Sequence, residues 1–154
     1  REQWREAGAA RGDEVSSAAS VVGYLLGSCY IVAVVLFSRT EFVACSDLRV
    51  EVMKEVGKRY GVPEDRHYTD YRELIEKEQP DIVSVATQPE QRAEVVIFAV
   101  EHGVKAVYAE KAMAASMQEA EAMVNALEAN GAILNLGTNR RWGPGFDKMK
   151  EGIF

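Results

Sequence analysis

A chain of 154 residues fits one domain and is long enough to bury a hydrophobic core. Its net charge of −6 argues against nucleic acid as a partner, because phosphate contacts need clustered Lys and Arg. Cys29 and Cys45 are the only cysteines and fall in neither a CxxC nor a Cys/His ligand spacing, while His67 and His102 lie far apart. No metal site and no disulfide framework is expected, and a reducing, cytoplasmic setting fits.

The first element is an apolar run. Val15 to Ser38 carry no charged side chain, a stretch long enough to span a bilayer as a helix. Ser16, Ser17, Ser20, Gly23, Gly27 and Ser28 dilute it. Upstream, Arg1, Arg5 and Arg11 are mixed with Glu2, Glu6, Asp13 and Glu14, which is not the basic flank of a signal peptide. "FVAC" at 42–45 faintly resembles a lipoprotein cleavage box, but Arg39 and Glu41 interrupt the apolar region such a signal needs. Long apolar runs with Leu and Ala default to helix when no partner strand is specified, so this part is expected to be largely helical. A membrane anchor over residues 15–38 is the alternative to a cytoplasmic chain.

From Phe42 onward short apolar runs alternate with helical patterns. "FVACS" (42–46) reads as a strand, and Val50, Met53, Val56 and Tyr60 then recur at helical spacing up to Gly61 and Pro63. Asp70 with Glu73 forms a capping box that opens a short helix. "DIVSVAT" (81–87), bounded by Pro80 and Pro89, has the length and composition of a strand buried on both faces. Ala93, Val96, Ile97 and Val100 line a helix that Gly103 ends, and "VKAVYAE" (104–110) is the next strand. Ser116 and Glu119 form a second capping box, before a helix with Ala120, Met123, Val124 and Leu127 inward and Gly131 at its stop. "AILNLGT" (132–138) is the last strand. Strands alternating with helices of about three turns predict an α/β domain with a doubly wound, mostly parallel sheet.

In such a sheet ligands bind beyond the carboxyl ends of the strands. Asp47 follows the first of these runs. A carboxylate there accepts hydrogen bonds from both ribose hydroxyls and repels a 2′-phosphate, although the same residue also suits a helix N-cap. Arg49 nearby keeps NADP open. After the second run comes "TQPEQR" (87–92), where Thr87 offers a hydroxyl and Pro89 suits the first turn of a helix. After the third comes "EKAMA" (110–114). A buried Glu-Lys pair is costly, which marks Glu110 and Lys111 as functional candidates against a solvated loop pair. After the fourth comes "GTNRRWGPGF", whose Asn139, Arg140 and Arg141 supply donors for a polyhydroxylated or carboxylated ligand.

Taken in order, these strand ends resemble the NAD(P)-binding N-terminal domain of the Gfo/Idh/MocA oxidoreductase family. The matching pieces are "EFVACSD", "YTDYRELIEKEQPDIVSVATQPEQRAE", "AVEHGVKAVYAEKAMA" and "GTNRRW". No single piece is specific, but the ordered set at this spacing is. The resemblance implies a Rossmann-like dinucleotide-binding domain over residues 40–154, after an aberrant apolar segment over 1–39. It implies a cofactor, NAD or NADP with NAD favoured, used to oxidise or reduce a hydroxyl carbon of a sugar, cyclitol or similar small molecule. By resemblance Asp47 is the ribose-binding acid, and Thr87 and Pro89 border the dinucleotide. Glu110 and Lys111 match the family's Glu-Lys-Pro motif, with Lys111 as the catalytic residue against nicotinamide and substrate. Asn139 and Arg140 lie on the way to the substrate, and the intact enzyme is expected to be a homo-oligomer.

The chain departs from the family at several points. Ala112 replaces the motif's Pro, and Arg92 replaces a histidine often found after the "TQP" loop. The second domain, with the usual catalytic His, is expected beyond Phe154, so the chain alone is expected to be inactive. No GxGxxG occurs anywhere; counting back from Asp47 puts Val22, Tyr24 and Gly27 where its three glycines belong. Three accounts of the apolar segment remain: a membrane anchor, a degenerate first βα unit, or a shifted reading frame upstream of about Arg39. The last best explains how abruptly family-like residues resume at "RTEFVACSD". The competing function is a non-catalytic nucleotide-binding or interaction module, in one form membrane-tethered.

Overall fold

The computed structural model describes residues 18–21 and 40–138. Ten main elements run along these residues: β1 (Ala18–Val21), β2 (Phe42–Ser46), α1 (Val50–Tyr60), β3 (His67–Tyr68), α2 (Tyr71–Glu78), β4 (Ile82–Val85), α3 (Pro89–Glu101), β5 (Ala106–Glu110), α4 (Met117–Asn130) and β6 (Ile133–Gly137). The strands form one sheet in the order β3-β2-β1-β4-β5-β6, and every neighbouring pair is parallel. The chain order reverses between β1 and β4, which is the switch point where a doubly wound sheet opens its ligand crevice.

The four strands expected from sequence all form: 42–46 has the expected bounds, and the other three are trimmed by a residue or more from their apolar runs. The punctuation also holds. Asp70 caps α2 by accepting from Arg72 N at 2.9 Å, and Ser116 caps α4 by accepting from Glu119 N at 3.2 Å. Gly61 and Gly131 end α1 and α4 with φ of 77° and 63°, a conformation that only glycine adopts cheaply. Pro89 occupies the first turn of α3, where its missing N–H is no loss.

The residues of β2 and β4 show why a continuous apolar run was needed. Successive side chains point to opposite faces of a sheet. Ala44 and Cys45 are both buried, as are Val83, Ser84 and Val85, so both faces are covered there. Most of the core is one cluster in which Leu74, Ile75, Val83, Val96, Val107 and Met123 are almost completely enclosed. A smaller cluster of Cys45, Met53 and Val62 lies under α1.

Three expectations need correction. Ala18–Val21 is a strand rather than a helix: it pairs with β2 on one side and β4 on the other, and two parallel partners override weak local preference. The rest of the apolar segment lies outside the described residues, as do Asn139, Arg140 and Arg141. Val124, assigned inward, is 40% exposed, because α4 buries a narrower stripe centred on Met123 and Leu127; Val50, which began the helical spacing of α1, is 45% exposed. The sequence pattern also passed over β3, whose two residues carry no periodic signal. No described helix is long and apolar enough to cross a membrane.

Candidate functional site

Asp47 follows β2 directly, and its backbone N–H donates to Tyr68 O at 3.2 Å, so the neighbouring strand β3 fixes its position. Its carboxylate is buried. Oδ1 accepts from Arg49 N at 2.8 Å, and Arg49 Nε lies 3.6 Å from the same oxygen. The N-cap position of α1 is Arg49 itself, without a side-chain cap, so Asp47 shapes the turn before the helix rather than capping it. Oδ2 is buried and has no partner among the described residues.

Thr87 stands beyond β4. It is buried, and its hydroxyl Oγ1 has no hydrogen-bond partner among the described residues. At the end of β5, Glu110 is half-buried and its Oε2 is likewise enclosed without a partner. Its register partner is Gly137 on β6, where a Cβ would come within 3.4 Å of Glu110 Oε2 and 3.3 Å of Ala109 O. A residue with a side chain at 137 would crowd that carboxylate.

Lys111 does not make the buried ion pair that its position in the sequence suggested. It is exposed and forms no ion pair with Glu110. The physical reason is that the chain leaves the sheet at Glu110, so the next side chain points out of the layer. The peptide bond joining Lys111 to Ala112 is cis. The buried cation of this corner is Arg92, in the first turn of α3 and 2% exposed. Its Nη1 donates to Ala112 O and its Nη2 to Thr87 O. Burial lowers the Arg92 pKa from its ordinary value, and the carboxylates of Glu110 and Glu90 oppose that shift. Arg92 was noted in the sequence only as a substitution. The available signal was that positions 92, 96 and 99 share one helical face with the apolar stripe, so a charge at 92 had to be buried and bonded.

Asp47, Thr87 and Glu110 therefore stand at the carboxyl ends of β2, β4 and β5, each with a buried oxygen that has no partner among the described residues. Buried polar atoms are nearly always bonded, and an orphan calls for an explanation. A hydroxylated ligand along this edge supplies one, since the two carboxylate oxygens accept and the threonine hydroxyl both donates and accepts. The donor set fits a dinucleotide laid across the switch point.

The model of the Gfo/Idh/MocA oxidoreductases, described as "Oxidoreductase family, NAD-binding Rossmann fold", matches residues 18–138. The chain belongs to this family. The match begins where β1 begins, so it takes in a strand upstream of the pieces that carried the resemblance in sequence. Myo-inositol 2-dehydrogenase of Thermotoga maritima is 32% identical over 110 residues, covering 71% of this chain and 32% of that protein. D-apiose dehydrogenase of Paraburkholderia graminis is 34% identical over 113 residues, covering 73% of this chain and 29% of that protein. Among solved structures, a probable dehydrogenase from Thermotoga maritima has a TM-score of 0.77 at 25% identity, covering 89% of this chain and 40% of that one. The chain spans about a third of the length of the curated relatives it matches.

Proposed function

We propose that this chain is the dinucleotide-binding part of an NAD(P)-dependent oxidoreductase that acts on a hydroxyl or carbonyl of a sugar, cyclitol or similar polyol. The observation that carries the reading is the row of unsatisfied oxygens on Asp47, Thr87 and Glu110 along one edge of the sheet. The inositol and apiose dehydrogenases among its relatives support a polyol substrate.

Asp47 accepts the ribose hydroxyls through Oδ2, while its bond to Arg49 N holds the carboxylate in place. Its negative charge opposes a 2′-phosphate, so NAD is favoured over NADP. Thr87 and Pro89 border the dinucleotide at the start of α3. Glu110 accepts from the nicotinamide side, and Lys111, without an ion pair among the described residues, presents its ammonium to the nicotinamide and the substrate hydroxyl. A bound nicotinamide would supply hydride acceptance or donation at the carbon that bears that hydroxyl, the hydroxyl proton passing to a base or to water. Asn139 and Arg140 are assigned to the substrate, on the segment that follows β6.

Counted back from Asp47 in the sequence, Val22 and Tyr24 replace glycines of the expected pyrophosphate loop, so binding by this chain is expected to be weak, about millimolar. Titration with NADH and NADPH, followed by NMR at millimolar ligand, tests the reading. NADH should shift signals from Asp47, Thr87 and Glu110, with NADPH weaker. Shifts elsewhere, or none at all, would sink it.

A further inference from the structure

We infer that Arg92 is a positioning residue for Lys111: its guanidinium ties the loop after β5 to the loop after β4 and so fixes the gap that receives the nicotinamide. The inference rests on the dinucleotide reading above and goes beyond it, because Arg92 itself need not touch the cofactor.

The geometry supports this in three ways. First, the two bonds leave one side chain for two different loops. Nη1 reaches Ala112 O, one residue past Lys111, while Nη2 reaches Thr87 O, beside the orphaned Thr87 hydroxyl. A planar guanidinium can donate from two separate nitrogens at once, whereas a neutral imidazole has a single donor. Second, the bond to Ala112 O is the only side-chain hydrogen bond that reaches residues 111–114 among the described residues. Without it the loop keeps the packing of Met113 and Ala114 against the core and its ties at β5 and at the start of α4, but no side-chain hydrogen bond holds the backbone beside Lys111. Third, a buried arginine is costly to maintain, and its Nε has no partner. Apolar packing of the same volume would serve stability at least as well, which points to a role other than stability.

Arg92 and Ala112 are also two of the positions where the chain departs from its family's motif, and here they touch. A proline at 112 restrains the backbone by fixing φ, and a chain with alanine there needs another restraint. The guanidinium provides it.

The test uses the full chain with two probes, NADH and ADP-ribose, which lacks the nicotinamide. Arg92→His should weaken NADH by about tenfold and ADP-ribose by less than about twofold, since only the nicotinamide end loses its wall. Adding Ala112→Pro to Arg92→His should bring NADH back to within about threefold of the parent, because proline restrains the loop independently. Equal weakening of both probes, no weakening, or no recovery with proline overturns the inference. In each of those cases Asp47→Ala still weakens both probes if the cofactor reading holds; if it weakens neither, or the parent binds neither, the cofactor reading itself has failed. Should Arg92→His not fold, the Arg92 Nη protons of the parent decide by NMR. They should move with NADH and stay put with ADP-ribose, and any other pattern overturns the inference.

Discussion

Asp47 and Glu110 each stand at the carboxyl end of a strand with an arginine close by, and the two pairs are built oppositely. At β2 the acid is buried and the arginine partly exposed, with Arg49 Nε 3.6 Å from Asp47 Oδ1. At β5 the acid is half-buried while Arg92 is enclosed, its bonds spent on two loop carbonyls. The difference teaches where each site keeps its working charge. At the β2 end the carboxylate is held still by backbone on both sides and keeps one oxygen free. At the β5 end the buried charge bonds two loop carbonyls, and the exposed charge, proposed above to face the substrate, is Lys111.

The sharpest way to break this contrast is Lys111→Met in a longer protein that joins this domain to a substrate domain. Turnover should fall by about a hundredfold, the usual scale for a positioned proton-transfer or electrostatic group. Stability should move by no more than about 0.5 kcal/mol, because the side chain is exposed. Near-normal turnover would make Lys111 an ordinary surface charge and leave the β5 end without a working group.

A second test probes how rigidly the β2 end is held. Gly57 sits inside α1, where alanine would normally stabilise a helix by roughly 0.5–1 kcal/mol. Here a Cβ would fall 2.2 Å from His67 Nε2 and 2.8 Å from Val62 O. His67 Nε2 is in turn bonded to Val62 O at 3.1 Å, and the adjacent Tyr68 carbonyl holds Asp47 N. Gly57→Ala should therefore lower stability by about 1–3 kcal/mol in chemical denaturation. A gain in stability would show that β3 yields easily and that Asp47 is not rigidly placed.

Asp47→Ala addresses the same end directly. It should weaken NADH by about tenfold, or ~1.4 kcal/mol, and reduce the preference over NADPH. If calorimetry found NADH unchanged, the free oxygen at β2 would not be a ribose acceptor.

How much of this was legible in the sequence follows from the reach of each signal. The caps at Asp70, Ser116, Gly61 and Gly131 act within a few residues, and all four held. β2 and β4 were legible because burial on both faces demands unbroken apolar runs, whereas the two-residue β3 left no such run. Ala18–Val21 was not, since "AASV" has little β preference of its own and becomes a central strand only through β2 and β4, far along the chain. At the site, Asp47, Thr87 and Glu110 were readable because a strand's end is readable. The burial of Arg92 and the exposure of Lys111 were not, because they depend on how two loops meet in space.

The smallest effect is expected at Cys45, directly beneath Asp47 in β2. Burial, with the nearby Asp47 carboxylate, pushes the thiol up from 9.0 to about 12. Below 9.0 the thiol is neutral in folded and unfolded chains alike, so it contributes no pH dependence near neutrality. Above that value only the unfolded chain ionises, and stability is lost as pH rises towards about 12. Tyr68, raised from 10.0 to about 12 chiefly by burial and its bond to Glu78, acts in the same direction over the upper part of the range. Cys45→Ala should thus flatten the stability profile between about 9 and 10 while leaving the neutral-pH slope unchanged. The native thiol should also resist aromatic disulfide reagents at pH 8, because the thiolate is the nucleophile and almost none is present. Rapid labelling of Cys45 in the folded chain would mean that the floor beneath Asp47 opens readily, and the contrast between a still β2 end and an adaptable β5 end would have to be given up.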